Sequence, residues 1–260
     1  MKDTKLEKGN TGDIERAYPR DERERKQMQK INLSKTLYIR GLQCKKSLWL
    51  KKNKSRVLTP TDSRTQSLFD AGHKFGEKAC KLFPNGKEII FKGSTFNQKL
   101  SLTKKWIDEG IENIYEATFQ YQGILVMVDI LHIKNDGSFE IYEAKHSKYM
   151  RDVYIDDASI QYYVISGLGY NISKVSIVHR NDEDENEDAT NIFSIVDITN
   201  RVISLQENIE INIDSFKKVL AQKREPKVSM GDHCTNPYPC DAIEYCSHTQ
   251  TSRNIFDFFR

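Results

Sequence analysis

Two apolar runs dominate the pattern of this chain. Gly123 to Ile133 (GILVMVDILHI) is rich in β-branched and large apolar residues, with one acid, Asp129, in its middle. Phe139 to Ala144 (FEIYEA) alternates apolar and acidic positions. Asn135-Asp136-Gly137 between them is a turn signal, so the pair predicts a β-hairpin. Side chains alternate faces along a strand. Glu143 and Lys145 therefore share a face, and Asp129 sits opposite them across the hairpin.

The rest of the pattern surrounds this hairpin. Ser34 is an N-cap for a short helix, Lys35 to Arg40, which Gly41-Leu42-Gln43-Cys44 breaks. A second helix, Lys45 to Lys52, carries Trp49 and Leu50. Leu68, Phe69, Ala71, Phe75, Ala79, Leu82 and Phe83 form an apolar stripe, predicting a long helix over Thr61 to Phe83 that contains His73. Cys80 reads as a small buried residue. A short strand at Glu88 to Phe91 and an amphipathic helix at Gln98 to Glu109 follow. The strand Ile114 to Tyr121 carries Glu116 and turns through Gln122-Gly123 into the hairpin. Asp156 or Asp157 caps a helix running to about Leu168 with Gln161, Tyr162 and Tyr163 in it. Lys174 to His179 and Asn191 to Ile198 are further strands, joined by an acidic hairpin loop at 182–188. A long helix runs from Thr199 to about Lys223, closed by Pro226.

Charge and composition set the domain limits. Residues 1–30 hold 16 charged residues of mixed sign and almost nothing apolar. They read as a disordered tail, because they bury too little to offset ordering entropy. Residues 31–260 read as one domain, including a cysteine segment at 226–250. The net charge of +3 does not by itself imply nucleic acid. No apolar run approaches membrane-spanning length and no signal core opens the chain, so a cytoplasmic protein is the default. No Gly-x-x-x-x-Gly-Lys phosphate loop is present, which argues against ATP-driven activity.

The chemistry concentrates in two places. Asp129 and Glu143 suit a hard divalent cation, Mg²⁺ or Mn²⁺, bound through oxygen. Such an ion polarises a phosphodiester and acidifies a bound water, which Lys145 would orient. The bland alternative is a sheet edge with a cross-strand ion pair. Arg40, Lys45, Lys46, Lys51, Lys52, Lys54 and Arg56 form the densest basic cluster, either a phosphate-facing strip or a solvated helix face.

The second place is the C-terminal run His233-Cys234, Cys240 and Cys246, with five residues in each interval. Five cysteines and no secretion signal argue for metal ligation or free thiols over disulfides. Cys44 is the fourth ligand for a four-thiolate site, which suits a [4Fe–4S] cluster, with zinc as the rival occupant. Such a clip would join the first helices to the end of the chain and remove loop entropy.

The ordered set resembles the RecB-like branch of the PD-(D/E)XK nuclease superfamily. It comprises basic helices with one Cys, a helix with Gly-His, a Glu-bearing strand, Val-Asp-Ile, Glu-x-Lys, a helix with Gln-Tyr-Tyr, and a Cys triplet. Within that branch it resembles the CRISPR-associated type-four Cas exonucleases and an allied bacterial domain family, over Ser34 to Cys246. The resemblance implies an α/β restriction-endonuclease-like core, a central mixed sheet flanked by helices, with a cysteine-cluster staple joining the N- and C-terminal parts.

It also implies a metal-dependent DNA nuclease, an exonuclease on single-stranded DNA acting in antiviral defence or repair, with partner proteins from those systems and no membrane. His73, Asp129, Glu143 and the carbonyl of Ala144 would be metal ligands, and Lys145 the active-site lysine. Glu116 would contact metal through water, and Gln161 would place substrate or a metal-bound water. The family's tyrosine four residues after Gln161 is here Ile165. Cys44, Cys234, Cys240 and Cys246 would hold a structural [4Fe–4S] cluster. Trp49, Tyr162 and Tyr163 are stacking candidates for bases, though such aromatics are more often core. Relatives in the allied family run on into a second nuclease-like domain, so this chain reads as a truncated copy or a stand-alone module. Two other readings compete: a catalytically silent DNA-binding or assembly module, and a zinc-stapled structural protein.

Overall fold

The computed structural model describes residues 33–90, 92–181 and 192–249. The predicted tail at 1–30 and the acidic loop at 182–188 lie outside the described residues. Seven strands form one mixed sheet: β1 (Leu33–Ser34), β2 (Lys87–Glu88), β3 (Asn113–Tyr121), β4 (Ile124–Ile133), β5 (Phe139–Lys145), β6 (Ile172–Arg180) and β7 (Phe193–Asp197). The order is β2-β3-β4-β5-β6-β7, and β1 adds parallel to β4. β3, β4 and β5 are antiparallel neighbours, while β5 and β6 are parallel.

The helices α1 (Lys35–Gln43), α2 (Lys45–Asn53), α3 (Ser63–Ala79), α4 (Phe96–Asp108), α5 (Asp152–Gly167), α6 (Thr199–Ser204) and α7 (Gln206–Ala221) flank that sheet. α5 is the crossover between the parallel strands β5 and β6. It buries Ile155, Ala158, Ile160, Val164 and Ile165 in the main core, with Val126, Ile141 and Val175 of the sheet. A smaller core joins Ala79 of α3 to Ile130, Tyr142 and Val178. On β5 the residues alternate between these layers, so Tyr142 faces α3 while Glu143 faces α5.

The predicted hairpin is present, closed at Gly137 with φ 79°. Gln122 (φ 47°) and Gly123 (φ 78°) make the tight β3–β4 turn, whose two left-handed residues suit strand twist. Ser34 caps α1, its Oγ accepting from the Leu37 amide at 3.3 Å. Cys44 is the corner between α1 and α2, its sulfur accepting from the Ser47 amide at 3.5 Å.

Four expectations are corrected. α5 begins at Asp152 behind Arg151, so Asp156 and Asp157 lie inside the helix and cap nothing. The helix expected from Thr61 spans Ser63–Ala79 and tightens into a 3₁₀ turn at Cys80–Leu82. Its stripe is only partly buried: Phe75 and Ala79 are in the core, while Leu68 (64 %) and Phe69 (53 %) are exposed. The helix expected from Thr199 is interrupted at Leu205, where α6 gives way to α7.

Candidate active site

β4 and β5 pair Ile133 with Phe139, His132 with Glu140, Leu131 with Ile141 and Ile130 with Tyr142. One step further, that register sets Asp129 opposite Glu143. There the ladder stops, and Asp129 Oδ2 accepts the Ala144 amide at 2.7 Å. The β3 side is irregular at the same level. Tyr115 pairs with Ile130 and Ala117 with Val128, but Glu116 between them has φ 56°. A non-glycine residue in that region is strained, and such residues concentrate at functional sites.

Glu143 is the hub. Its side chain is 2 % exposed. Oε1 accepts from Lys145 Nζ at 2.6 Å and Lys35 Nζ at 2.9 Å. Oε2 accepts from Gln161 Nε2 at 2.6 Å. Lys145 also donates to Asp157 Oδ2 at 2.5 Å, and Lys35 lies 3.7 Å from the same oxygen. Gln161 is fully buried, and its Oε1 has no hydrogen-bond partner among the described residues. An orphaned acceptor beside the Glu143 carboxylate is the kind of atom that a bound water or ligand satisfies.

The charges are far from their ordinary values. Burial opposes ionisation of Glu143, but the Lys145 and Lys35 ammoniums outweigh it and hold its carboxyl well below the usual range. Asp129 has no such direct partner. Burial, then the charge on Glu143, push it up to about 7. Burial likewise raises Asp157 and Glu116. Both lysines are raised, because Asp157 and Glu143 overcome the burial that would discharge them.

The sequence-predicted residues separate into groups. Lys145 and Gln161 meet at the Glu143 carboxylate, while Asp129 stands at the opposite register position, bonded to the Ala144 amide and coupled to Glu143 by charge. Glu116 is coupled to them by charge alone, with Lys35 and Glu143 among its neighbours. His73 is exposed on α3. It lies near enough to Glu116 to act on that carboxyl electrostatically, but no hydrogen bond joins it to Asp129 or Glu143 among the described residues. Ile165 is fully buried core. Trp49 is core too, donating its indole N–H to the Gln222 carbonyl at 2.9 Å. Tyr162 and Tyr163 pack against the main core, and Tyr163 donates to Gln122 Oε1 at 3.3 Å.

Lys35 and Asp157 were not legible as site residues. Asp157 carries a faint signal, since it precedes Gln161 by four and so shares its helix face. Lys35 lies 108 residues from Glu143 and carries none.

The cysteine segment docks on α1 and α2. Cys44, Cys234, Cys240 and Cys246 line one small recess with Lys46, Ser47 and His233. Burial raises the Cys44 and Cys246 thiols, and neighbouring cysteine charges add to it. His233 Nε2 stands 3.7 Å from Cys234 Sγ. Much of the docking needs no thiolate. Arg40 makes a two-pronged pair with Asp241 at 2.6 and 2.8 Å. Gln43 donates to the carbonyls of His233 and Tyr238. Lys46 pairs with Glu225 at 3.5 Å, and Lys54 donates to Tyr245. The expected phosphate strip therefore divides: Arg40, Lys46 and Lys54 serve this contact, while Lys45, Lys51, Lys52 and Arg56 are left facing outward. Burial raises Cys80 to about 12, and it is partly exposed beside the smaller core.

As placed, no three His, Cys, Asp or Glu side chains among the described residues stand at coordinating positions. No helix among them is long and apolar enough to cross a membrane. No protein-family model matches the chain. No curated protein matches it either. Among solved structures it is similar to "Crystal structure of SSO0001", at 10 % identity and TM-score 0.39, over 82 % of this chain and 84 % of that one.

Proposed function

We propose that this chain is a metal-dependent DNA nuclease of the PD-(D/E)XK type. One observation carries the reading. Asp129 and Glu143 face each other on adjacent strands, with Lys145 two residues on and Gln161 clamping Glu143 from the crossover helix. The donor set fits a hard cation: two carboxylates on one face, with Asp129 Oδ1 accepting no hydrogen bond among the described residues. Asp129, Glu143, the Ala144 carbonyl and His73 would hold Mg²⁺ or Mn²⁺, with Glu116 acting through water. When bound, such an ion polarises a phosphodiester and acidifies a water.

The chain's own groups supply the rest. Lys145, held charged by Glu143 and Asp157, offsets negative charge developing on the phosphate, the largest kind of catalytic term. Gln161 fixes the Glu143 carboxylate so that it does not rotate away. Single-stranded DNA, the expected substrate, would lie along the outward lysines of α2.

The four cysteines around one recess support a structural [4Fe–4S] cluster that would complete the docking of the C-terminal segment. The position of His233 beside Cys234 favours zinc as the second reading.

The test is cleavage of end-labelled single-stranded DNA with Mn²⁺, by anaerobically purified protein and by Lys145→Ala. Cleavage by the wild type alone is the expected result. A wild type that retains its cluster yet does not cleave with Mn²⁺ or Mg²⁺ would point instead to the silent module. Absorbance at about 400 nm with bound iron separates cluster from zinc.

A further inference from the structure

We propose that Lys35 is a built-in counter-ion for this site: its ammonium holds Glu143 where a divalent cation would bind, and yields Glu143 to that cation. The inference rests on Asp129 and Glu143 being metal ligands.

Both Glu143 oxygens already carry donors. Oε1 takes Lys145 at 2.6 Å and Lys35 at 2.9 Å, and Oε2 takes Gln161 at 2.6 Å. A cation that coordinates Glu143 must therefore displace or crowd one of them. Gln161 is neutral and fully buried within α5. Lys145 is tied to a second carboxylate, Asp157, at 2.5 Å. Lys35 has only a 3.7 Å contact with that same oxygen. Lys35 is thus the most weakly held of the three, and it carries the charge that a cation opposes most.

Its position suits release. Lys35 opens α1, where the Ser34 cap fixes the backbone and leaves the four-carbon stem free to swing. Its side chain is 19 % exposed, so a path to solvent exists. A dication on Glu143 would also stand against the Lys35 ammonium at the same carboxylate, and like charges brought together in a buried site repel.

The test titrates Mn²⁺ alone into the full chain by calorimetry, for wild type, Lys35→Met, Lys35→Gln and Glu143→Gln. Removing the competing charge tightens Mn²⁺ binding by about tenfold in both Lys35 variants, and Glu143→Gln loses it. Glu143-dependent binding that the Lys35 variants leave unchanged or weaken overturns the counter-ion and spares the metal site. No binding by any protein overturns both.

A second measurement needs no variant. Lysines of the wild type are acylated with and without Mg²⁺ and read by mass spectrometry. Lys35 becomes several-fold more reactive with Mg²⁺, while buried Lys217, which donates to the Gln122 carbonyl, does not change. Equal Lys35 reactivity in both conditions overturns the inference.

Discussion

The Asp129 carboxylate accepts the main-chain amide of Ala144 at 2.7 Å. A side chain thus replaces the ladder bond where β4 and β5 cease to pair. One oxygen holds the main chain, and the other accepts no hydrogen bond among the described residues. Asp129→Asn keeps an acceptor for the amide, whereas Asp129→Ala orphans a buried N–H at a cost of about 1–3 kcal/mol. Urea denaturation should rank wild type and Asn above Ala, while both variants lose metal binding. Equal stability of Asn and Ala would show that the amide finds another partner.

The same residue gives stability a pH dependence. Asp129 is raised from 3.8 to about 7 in the fold. The folded state then holds its proton more tightly than the unfolded chain. The resulting stabilisation is complete below the unfolded value and is lost as pH rises through 7. Glu143 is shifted down, so its contribution fades only below its unfolded value of 4.5 and is flat between pH 5 and 8. In chelator-treated protein, wild type should lose stability relative to Asp129→Asn across that window, with a slope of up to about 1.4 kcal/mol per pH unit. Parallel pH curves for the two proteins would contradict this.

Gln161 is a neutral donor placed against a charged acceptor, 2.6 Å from Glu143. Gln161→Met removes one hydrogen bond. Gln161→Glu sets a second carboxylate against the first in a fully buried position, which costs about 3–5 kcal/mol at neutral pH. Denaturation midpoints should fall in the order wild type, Met, Glu, and the Glu variant should recover towards acid pH. A Glu variant as stable as Met at pH 8 would mean that the site admits water freely.

The sequence carried the hairpin and its acids because both are local: two apolar runs, one turn and a period of two. It carried Gln161 only through the resemblance, since a glutamine in an amphipathic helix has no signature of its own. The partners of Glu143 from outside the hairpin were illegible for a different reason. Lys35 and Asp157 reach it only after α1 and α5 pack on one sheet face, a tertiary event. Leu68 and Phe69 failed in the opposite sense. Their helical spacing is right, but α3 turns only its last two turns toward the sheet, so periodicity there overstates burial. The break at Leu205 has no proline or glycine to announce it.

Gly41 lies where α1 crosses α7. A Cβ built there would sit 2.8 Å from the Phe216 ring. Glycine to alanine inside a helix ordinarily stabilises by about 0.5–1 kcal/mol. Here the ring must move, and overpacking costs about 1–3 kcal/mol, so Gly41→Ala should destabilise. Trimming the ring with Phe216→Leu should relieve it. The double variant should then be more stable than the sum of the single effects predicts, with a coupling on the order of 1 kcal/mol. Additive effects would place the two helices further apart than described.

Arg40 and Asp241 join α1 to the cysteine segment across 201 residues of sequence, by two parallel hydrogen bonds at 2.6 and 2.8 Å. Both side chains are partly exposed, at 20 % and 28 %, so solvent screens the pair. The worth of the contact lies in its geometry and in the company of the Gln43 bonds, since a lone exposed pair contributes under about 1 kcal/mol. Lysine keeps the charge but not the fork. Arg40→Lys should therefore behave nearly like Arg40→Ala, loosening the segment from His233 to Cys246 without unfolding the sheet. Limited proteolysis should cut that segment faster in both variants, at a similar thermal midpoint for the remainder. Arg40→Lys protected as well as wild type would mean that charge alone suffices. Unaltered cutting in Arg40→Ala would assign the docking to the cysteines and the Gln43 bonds instead.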